Sequence, residues 1–134
     1  MILHELLGTE DHEAYQALEV SNGGRQYSFL RSLVDACTTV QRPFLSTHIK
    51  SLNYHAITCL HTSAGEYRPC PVRVGNHTPP DFYRVQPLMD DFVNLINLNW
   101  KETNPVELAS FVLWKLNHIH PFINGNGRTA RAAC

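Results

Sequence analysis

The sequence predicts an all-α protein, a bundle of helices interrupted once by a short proline-rich segment. Three observations carry that reading. Four stretches repeat apolar residues at helical spacing, their ends carry cap and stop residues, and alternation of the kind a strand needs is confined to residues 65–80. With 134 residues and 43% hydrophobic content the chain can bury a core of its own, and residues 1–134 read as one domain.

The first stripe is Phe29, Leu30, Leu33, Val34, Cys37 and Val40, and it stops before Pro43. Proline lacks the N–H a helix needs and its ring clashes with the preceding turn. The second stripe is Ile49, Leu52, Ala56, Cys59 and Leu60, with Ser46 or Thr47 as the hydroxyl that caps its start. Val85, Leu88, Met89, Phe92 and Ile96 form the third; Pro87 is tolerated there because it lies near the start. The fourth begins at Asn104, with Pro105 at the first helical position and Glu107 completing a capping-box-like pattern. Its Ala109, Val112, Leu113, Leu116 and Ile119 carry the apolar face to His120. Trp100 and Trp114 read as core or rim packing rather than as ligand platforms. Between the second and third helices, residues 65–80 contain Pro69, Pro71, Pro79 and Pro80 amid short alternations. Such a stretch reads as a connecting loop or as an exposed, edge-like hairpin, because proline cannot donate to an interior ladder.

Composition excludes several classes. A net charge of −1 offers no broad basic surface, and no basic recognition helix is present, so neither nucleic-acid binding nor a helical DNA-binding regulator is expected. Ile2-Leu3 and Leu6-Leu7 are broken by His4 and Glu5, too short and too polar for a signal peptide or a membrane span, so no membrane partner is expected. The four cysteines, Cys37, Cys59, Cys70 and Cys134, show no paired spacing and read as reduced thiols of a cytoplasmic protein.

The chemistry is concentrated in residues 120–131, His-Pro-Phe-Ile-Asn-Gly-Asn-Gly-Arg-Thr-Ala-Arg. Pro121 pushes His120 out of the right-handed helical region, which ends the fourth helix at Ile119 and leaves the imidazole at its mouth. Asn124-Gly125 is a turn signal, and Gly125 and Gly127 admit backbone angles that a side chain would forbid. A helix starting near Gly127 presents unpaired N–H groups and a positive dipole end to an anion. Arg128 and Arg131, three apart, share a face of that helix, and each guanidinium fork suits phosphate oxygens. Imidazole is the side chain best matched to accepting a proton near neutral pH. These parts suit a nucleotide-using transferase. Two other readings fail. Gly125-x-Gly127-x-x-Ala130 imitates a dinucleotide fingerprint, but it follows a helix rather than a strand, and no acidic residue stands about twenty positions later. His118 and His120 imitate a zinc pair, but residues two apart on a helix diverge and no further ligands complete the set; His118 reads as structural.

The string resembles the signature of the Fic-domain family: His-Pro-Phe, any residue, an acidic residue or Asn, Gly-Asn-Gly-Arg, two of any residue, Arg. A second segment resembles the family's β-hairpin flap, with Gly65-Glu66-Tyr67-Arg68 at its start and Gly75-Asn76-His77-Thr78-Pro79-Pro80 at its end. The resemblance spans about residues 29–131 and implies a Fic-type helical bundle with one short hairpin flap. It implies a protein adenylyltransferase that moves AMP from ATP, with Mg²⁺ or Mn²⁺, to a Ser, Thr or Tyr hydroxyl of a target protein. His120 would be the base, Asn124, Gly125, Asn126, Gly127, Arg128 and Arg131 the nucleotide-binding set, and Phe122 the apolar plug that anchors the loop. Arg68, Pro69, Cys70, Pro71, Val72, Arg73 and Val74 would be the flap that holds the target by backbone pairing. Asn124 occupies the position where many members place a carboxylate for Mg²⁺, and an amide oxygen is a weaker ligand for that hard cation.

Alternatives implied by the same resemblance are a Doc-like transfer of the terminal phosphate, which Gly125 and Gly127 argue against, and a non-catalytic module that binds nucleotide or target. UTP, GTP and CDP-choline are other donors in the family. Members are commonly held inactive by a helix bearing Ser/Thr-x-x-x-Glu-Gly/Asn, whose Glu pairs with the second arginine, Arg131 here. Thr9-Glu10-Asp11-His12-Glu13-Ala14 fits that pattern poorly and reads better as an acidic helix N-terminus. The inhibitory element is therefore expected from a partner or from a segment outside this chain. The last helix is expected to be cut short after Arg131, and another copy in a homo-oligomer is one way to complete it.

Overall fold

A computed structural model describes residues 2–40 and 43–134. It is helical, as the sequence predicts: α1 Leu3–Leu7, α2 Glu13–Val40, α3 Ser46–Ile57, α4 Val85–Asn99, α5 Pro105–Ile119 and α6 Asn126–Ala133, with a single 3₁₀ turn, Phe82–Arg84, before α4. Helix α2 lies along α3, α6 packs on both α3 and α5, and α4 closes on α5.

The core sits between α3, α4, α5 and α6. Ile49, Val85, Met89, Phe92, Ile96, Val112, Leu116, Ile119, Phe122 and Ala130 form one buried cluster. Each stripe residue that is fully buried removes enough apolar surface from water to contribute about 1.5–3 kcal/mol. At α5 the cap is as expected: Asn104 Oδ1 accepts from the Val106 N–H at 2.9 Å, and Pro105 takes the first helical position. At α3 the cap differs. The helix already begins at Ser46 and Leu45 is its cap, with His48 Nδ1 accepting from the Leu45 N–H at 3.2 Å. The histidine ring satisfies the N–H of the cap residue, and no side-chain hydroxyl caps the helix. Trp100 and Trp114 are both more than half exposed, so neither is core.

Helix α2 is far longer than its apolar stripe, starting at Glu13 rather than near Phe29. The first half has an unusual buried face made of amides. Asn22, 0% exposed, donates through Nδ2 to the carbonyls of Ala56 (3.3 Å) and Thr58 (2.9 Å), and Gln26 Nε2 donates to Leu52 O at 3.0 Å. Carbonyls in the last turn of a helix lack intrahelical partners, so Asn22 satisfies the end of α3, while Gln26 adds a second bond to a carbonyl inside it. The predicted stop before Pro43 borders residues 41 and 42, which lie outside the described residues; α2 is described to Val40.

The hairpin is a correction. Residues 65–80 form turns and extended backbone, and the sole ladder among the described residues is one antiparallel bridge, Val74 with His77. Val74 N–H donates to His77 O at 3.2 Å and His77 N–H to Val74 O at 2.9 Å. Pro69, Pro71, Pro79 and Pro80 remove four donors from a stretch that would need them to pair.

Candidate active site

Helix α5 ends where expected, and His120 stands just beyond it in the left-handed region, φ 53° and ψ 60°, its N–H bonded to Leu116 O at 2.9 Å. Burial first, then the Arg68 cation and His77 nearby, hold the imidazole below its ordinary value of 6.5. The surroundings of His120 thus favour the uncharged ring, the form that can accept a proton.

The loop after His120 is closed by its own side chains. Asn126 Oδ1 accepts from the Phe122 N–H at 2.9 Å, and its Nδ2 donates to Phe122 O at 2.8 Å. Phe122 itself is fully buried in the core cluster, as the plug reading expected. Asn126, 4% exposed, is thereby committed to shaping the loop; its side chain is not available as a ligand for phosphate, which corrects that part of its expected role. A second clamp, Asn53 of α3, was not foreseen. This fully buried amide donates to Asn124 O at 2.9 Å and to Thr129 Oγ1 at 3.4 Å, and accepts from the Gly65 N–H at 3.0 Å. It ties the loop, α6 and the start of the 65–80 segment to one helix. The signal was available: Asn53 is an amide on the buried face of α3, between Leu52 and Ala56.

Gly125 has φ +72°, caps α6, and a Cβ there would lie 2.6 Å from Ile57 Cγ2. Ile57 is fully buried and cannot yield. We expect Gly125→Ala to lower stability by about 2–4 kcal/mol, the sum of left-handed strain and overpacking, measured by urea unfolding. Gly127 has ordinary helical angles instead, and a Cβ at that position would meet only the flexible end of Arg131 at 3.2 Å, so Gly127→Ala should stay within about 1 kcal/mol of wild type. The backbone freedom expected of both glycines is used at Gly125 alone.

Helix α6 then rises from the loop with its first N–H groups unpartnered within the helix. Arg128 is engaged: it donates to Asn124 Oδ1 (3.0 Å) and to Ala56 O (3.3 Å), and pairs with Glu19 of α2 at 3.1 Å. Arg131 is exposed. Both arginines line an open cavity of about 320 Å³ with Gly23, Gln26, Tyr27, Leu30 and Ala132. Asn124, besides accepting from Arg128, donates Nδ2 to Glu10 Oε1 at 3.2 Å. The loop has no carboxylate and its one amide oxygen at position 124 is already bonded, so this donor set does not fit a protein-held Mg²⁺.

Arg68 is turned inward rather than presented on the surface. It is 2% exposed, and its guanidinium donates to His120 O (2.7 Å), Ile119 O (3.4 Å), Cys70 O (3.3 Å) and Pro80 O. Its role is to finish α5 and seat the 65–80 segment. Pro69, Pro71, Arg73 and Val74 are exposed, with Cys70 and Val72 half-buried between them. The acidic stretch Thr9–Ala14 behaves as expected, since Glu13 starts α2. The acid that does reach a loop arginine is Glu19, and it meets Arg128 rather than Arg131.

A helical bundle that sets a histidine at one helix end, a closed glycine loop after it and two arginines on the next helix is the architecture of a Fic-type fold. The Fic/DOC family profile matches residues 43–134, and the chain belongs to that family. It is 44% identical over 68 residues to the protein adenylyltransferase Fic of Drosophila willistoni and 46% identical to that of Drosophila yakuba; each match covers 50% of this chain and 14% of the relative. A Fic domain containing signaling protein from Bacteroides thetaiotaomicron superposes with a TM-score of 0.77 at 25% identity, covering 97% of this chain and 51% of that one. Fic-1 of C. elegans shares the fold, with a TM-score of 0.72 at 23% identity over 96% of this chain and 38% of that one.

Proposed function

We propose that this chain transfers AMP from ATP to a Ser, Thr or Tyr hydroxyl of a target protein. The observation that carries the proposal is the join at residue 120: an imidazole at the end of α5, followed directly by a loop that two buried amides fix in shape at the start of α6. His120 takes the hydroxyl proton as the oxygen attacks the α-phosphorus. The bond between the α-phosphorus and the oxygen bridging to the β-phosphate breaks, and pyrophosphate leaves. Arg131, Arg128 and the first N–H groups of α6 stabilise the charge spread over the phosphates. Divalent metal, Mg²⁺ or Mn²⁺, arrives with the nucleotide as part of the substrate. The exposed stretch 69–74 presents the target segment, and its prolines limit recognition to a few backbone bonds. Four free thiols accord with a cytoplasmic setting. In the described residues no helix is long and apolar enough to cross a membrane.

The test uses ATP labelled separately at the α- and γ-phosphate. Label reaching protein from the α position alone supports AMP transfer. Transfer from the γ position replaces it with a Doc-like phosphotransfer. Bound nucleotide with no transfer of either label makes the chain a binding module.

Glu19 supplies in this chain the restraint that was expected from outside it. Its carboxylate neutralises Arg128, and entering phosphates must displace it. Both groups are partly exposed, so the pair is worth on the order of 1 kcal/mol. Glu19→Ala should therefore tighten ATP binding by roughly fivefold and raise the transfer rate, read by titration calorimetry and labelling. Unchanged affinity would mean that Arg128 is not a phosphate contact.

A further inference from the structure

Beside the glycine loop, the described residues bring a set of metal-ligating side chains together. His4 on α1, Glu10 between α1 and α2, and His61 after α3 place their ligating atoms within 4.8 Å of one another. Glu10 Oε1 lies 3.2 Å from His61 Nε2, and the two imidazole centroids are 4.5 Å apart. Backbone bonds set the two histidines: Leu3 N–H donates to Cys59 O at 2.9 Å and His4 N–H to Leu60 O at 3.0 Å. The juxtaposition is thus built by the chain path rather than by two flexible side chains meeting. Tyr15 Oη hydrogen-bonds the same His61 Nε2 at 2.6 Å and must release it when that nitrogen takes an ion, while on the other side Asn124 Nδ2 donates to Glu10 Oε1 at 3.2 Å.

We propose that His4, Glu10 and His61 bind a divalent transition metal of the Zn²⁺ class. Two imidazoles and one carboxylate suit a borderline ion and are poor for Mg²⁺, which prefers an all-oxygen shell. Ligand distances near 2.0–2.2 Å place the donor atoms of a tetrahedral zinc roughly 3.3–3.5 Å apart, so a separation of up to 4.8 Å must close by as much as about 1.5 Å. Glu10 is exposed and His4 half-buried, which leaves both room to move. The fourth position is open to water. Because Glu10 also holds Asn124, an occupied site would pin the segment between α1 and α2 against the glycine loop. The proposal does not depend on AMP transfer, and its test reads metal binding rather than activity.

The chain, freed of metal with a chelator, would be titrated with Zn²⁺ against a competing indicator, and separately with Co²⁺ while following visible absorption. The expected results are one tight Zn²⁺, a Co²⁺ band of tetrahedral intensity, and a higher Tm with Zn²⁺ but not with Mg²⁺. His4→Ala and Glu10→Ala should each weaken Zn²⁺ by at least about tenfold while leaving the metal-free Tm unchanged. His77→Ala tests another close histidine pair, His77 with His118, and should leave Zn²⁺ affinity unchanged. No binding by the wild type, or equal binding by the His4 and Glu10 variants, overturns the proposal.

Discussion

His120→Ala is expected to lower the rate of transfer on the order of 10³-fold while leaving ATP affinity within about twofold of wild type. The split follows from position. The imidazole stands at the end of α5 and serves the incoming hydroxyl, whereas the phosphates are assigned to the loop and to Arg128 and Arg131 on α6. Labelled transfer with a matched nucleotide titration checks both halves. A variant that retains transfer would remove His120 as the base, and one that loses ATP binding equally would make it a nucleotide contact. The pH profile is a second check. Burial, Arg68 and His77 all disfavour the imidazolium, so the folded value lies below the ordinary 6.5. Only the neutral ring can accept a proton; the midpoint of the acid limb should therefore fall below 6.5. An acid limb with its midpoint above 6.5 would contradict the environment described.

The helices were legible where burial is apolar. The stripes of α3, α4 and α5 alternate at helical spacing, and the Asn104-Pro105 start of α5 has a direct physical cause. Helix α2 was half-hidden because its first half buries Asn22 and Gln26 instead of Leu or Val, and Gly23-Gly24 lowers its propensity. An amide facing another helix's carbonyls leaves no trace in a hydrophobic pattern. The loop was legible as a string of residue types, but the jobs within it were not. Asn126 shapes the turn, and the loop is seated by Asn53, far away in sequence. Glu19 could not be anticipated as the partner of Arg128 while the helix that carries it was unread. Arg68 shows the same limit. An arginine in a proline-rich stretch reads as exposed and ready for a partner, and only the fold reveals carbonyls converging on it.

Arg68→Met is expected to lower stability and to shift the pH response of the site together. The guanidinium reaches four carbonyls, two of them at the end of α5, and is 2% exposed. Methionine has comparable length and apolar bulk, so packing is largely kept and the change isolates the lost donors. Orphaned carbonyls in a buried site, together with lost charge-assisted bonds, should cost about 3 kcal/mol, which lowers Tm by roughly 10 °C. Arg68→Lys should recover less than half of that loss, because one ammonium cannot span four acceptors. The same substitution reports on the base. Removing the cation beside His120 raises the imidazole's pKa, so any remaining activity in Arg68→Met should show its acid limb at higher pH than wild type. A Tm unchanged by Arg68→Met would mean that water replaces the guanidinium, and Arg68 would then be free to serve the target after all. A lowered Tm with an unmoved acid limb would keep its structural role and remove it from the electrostatics of His120.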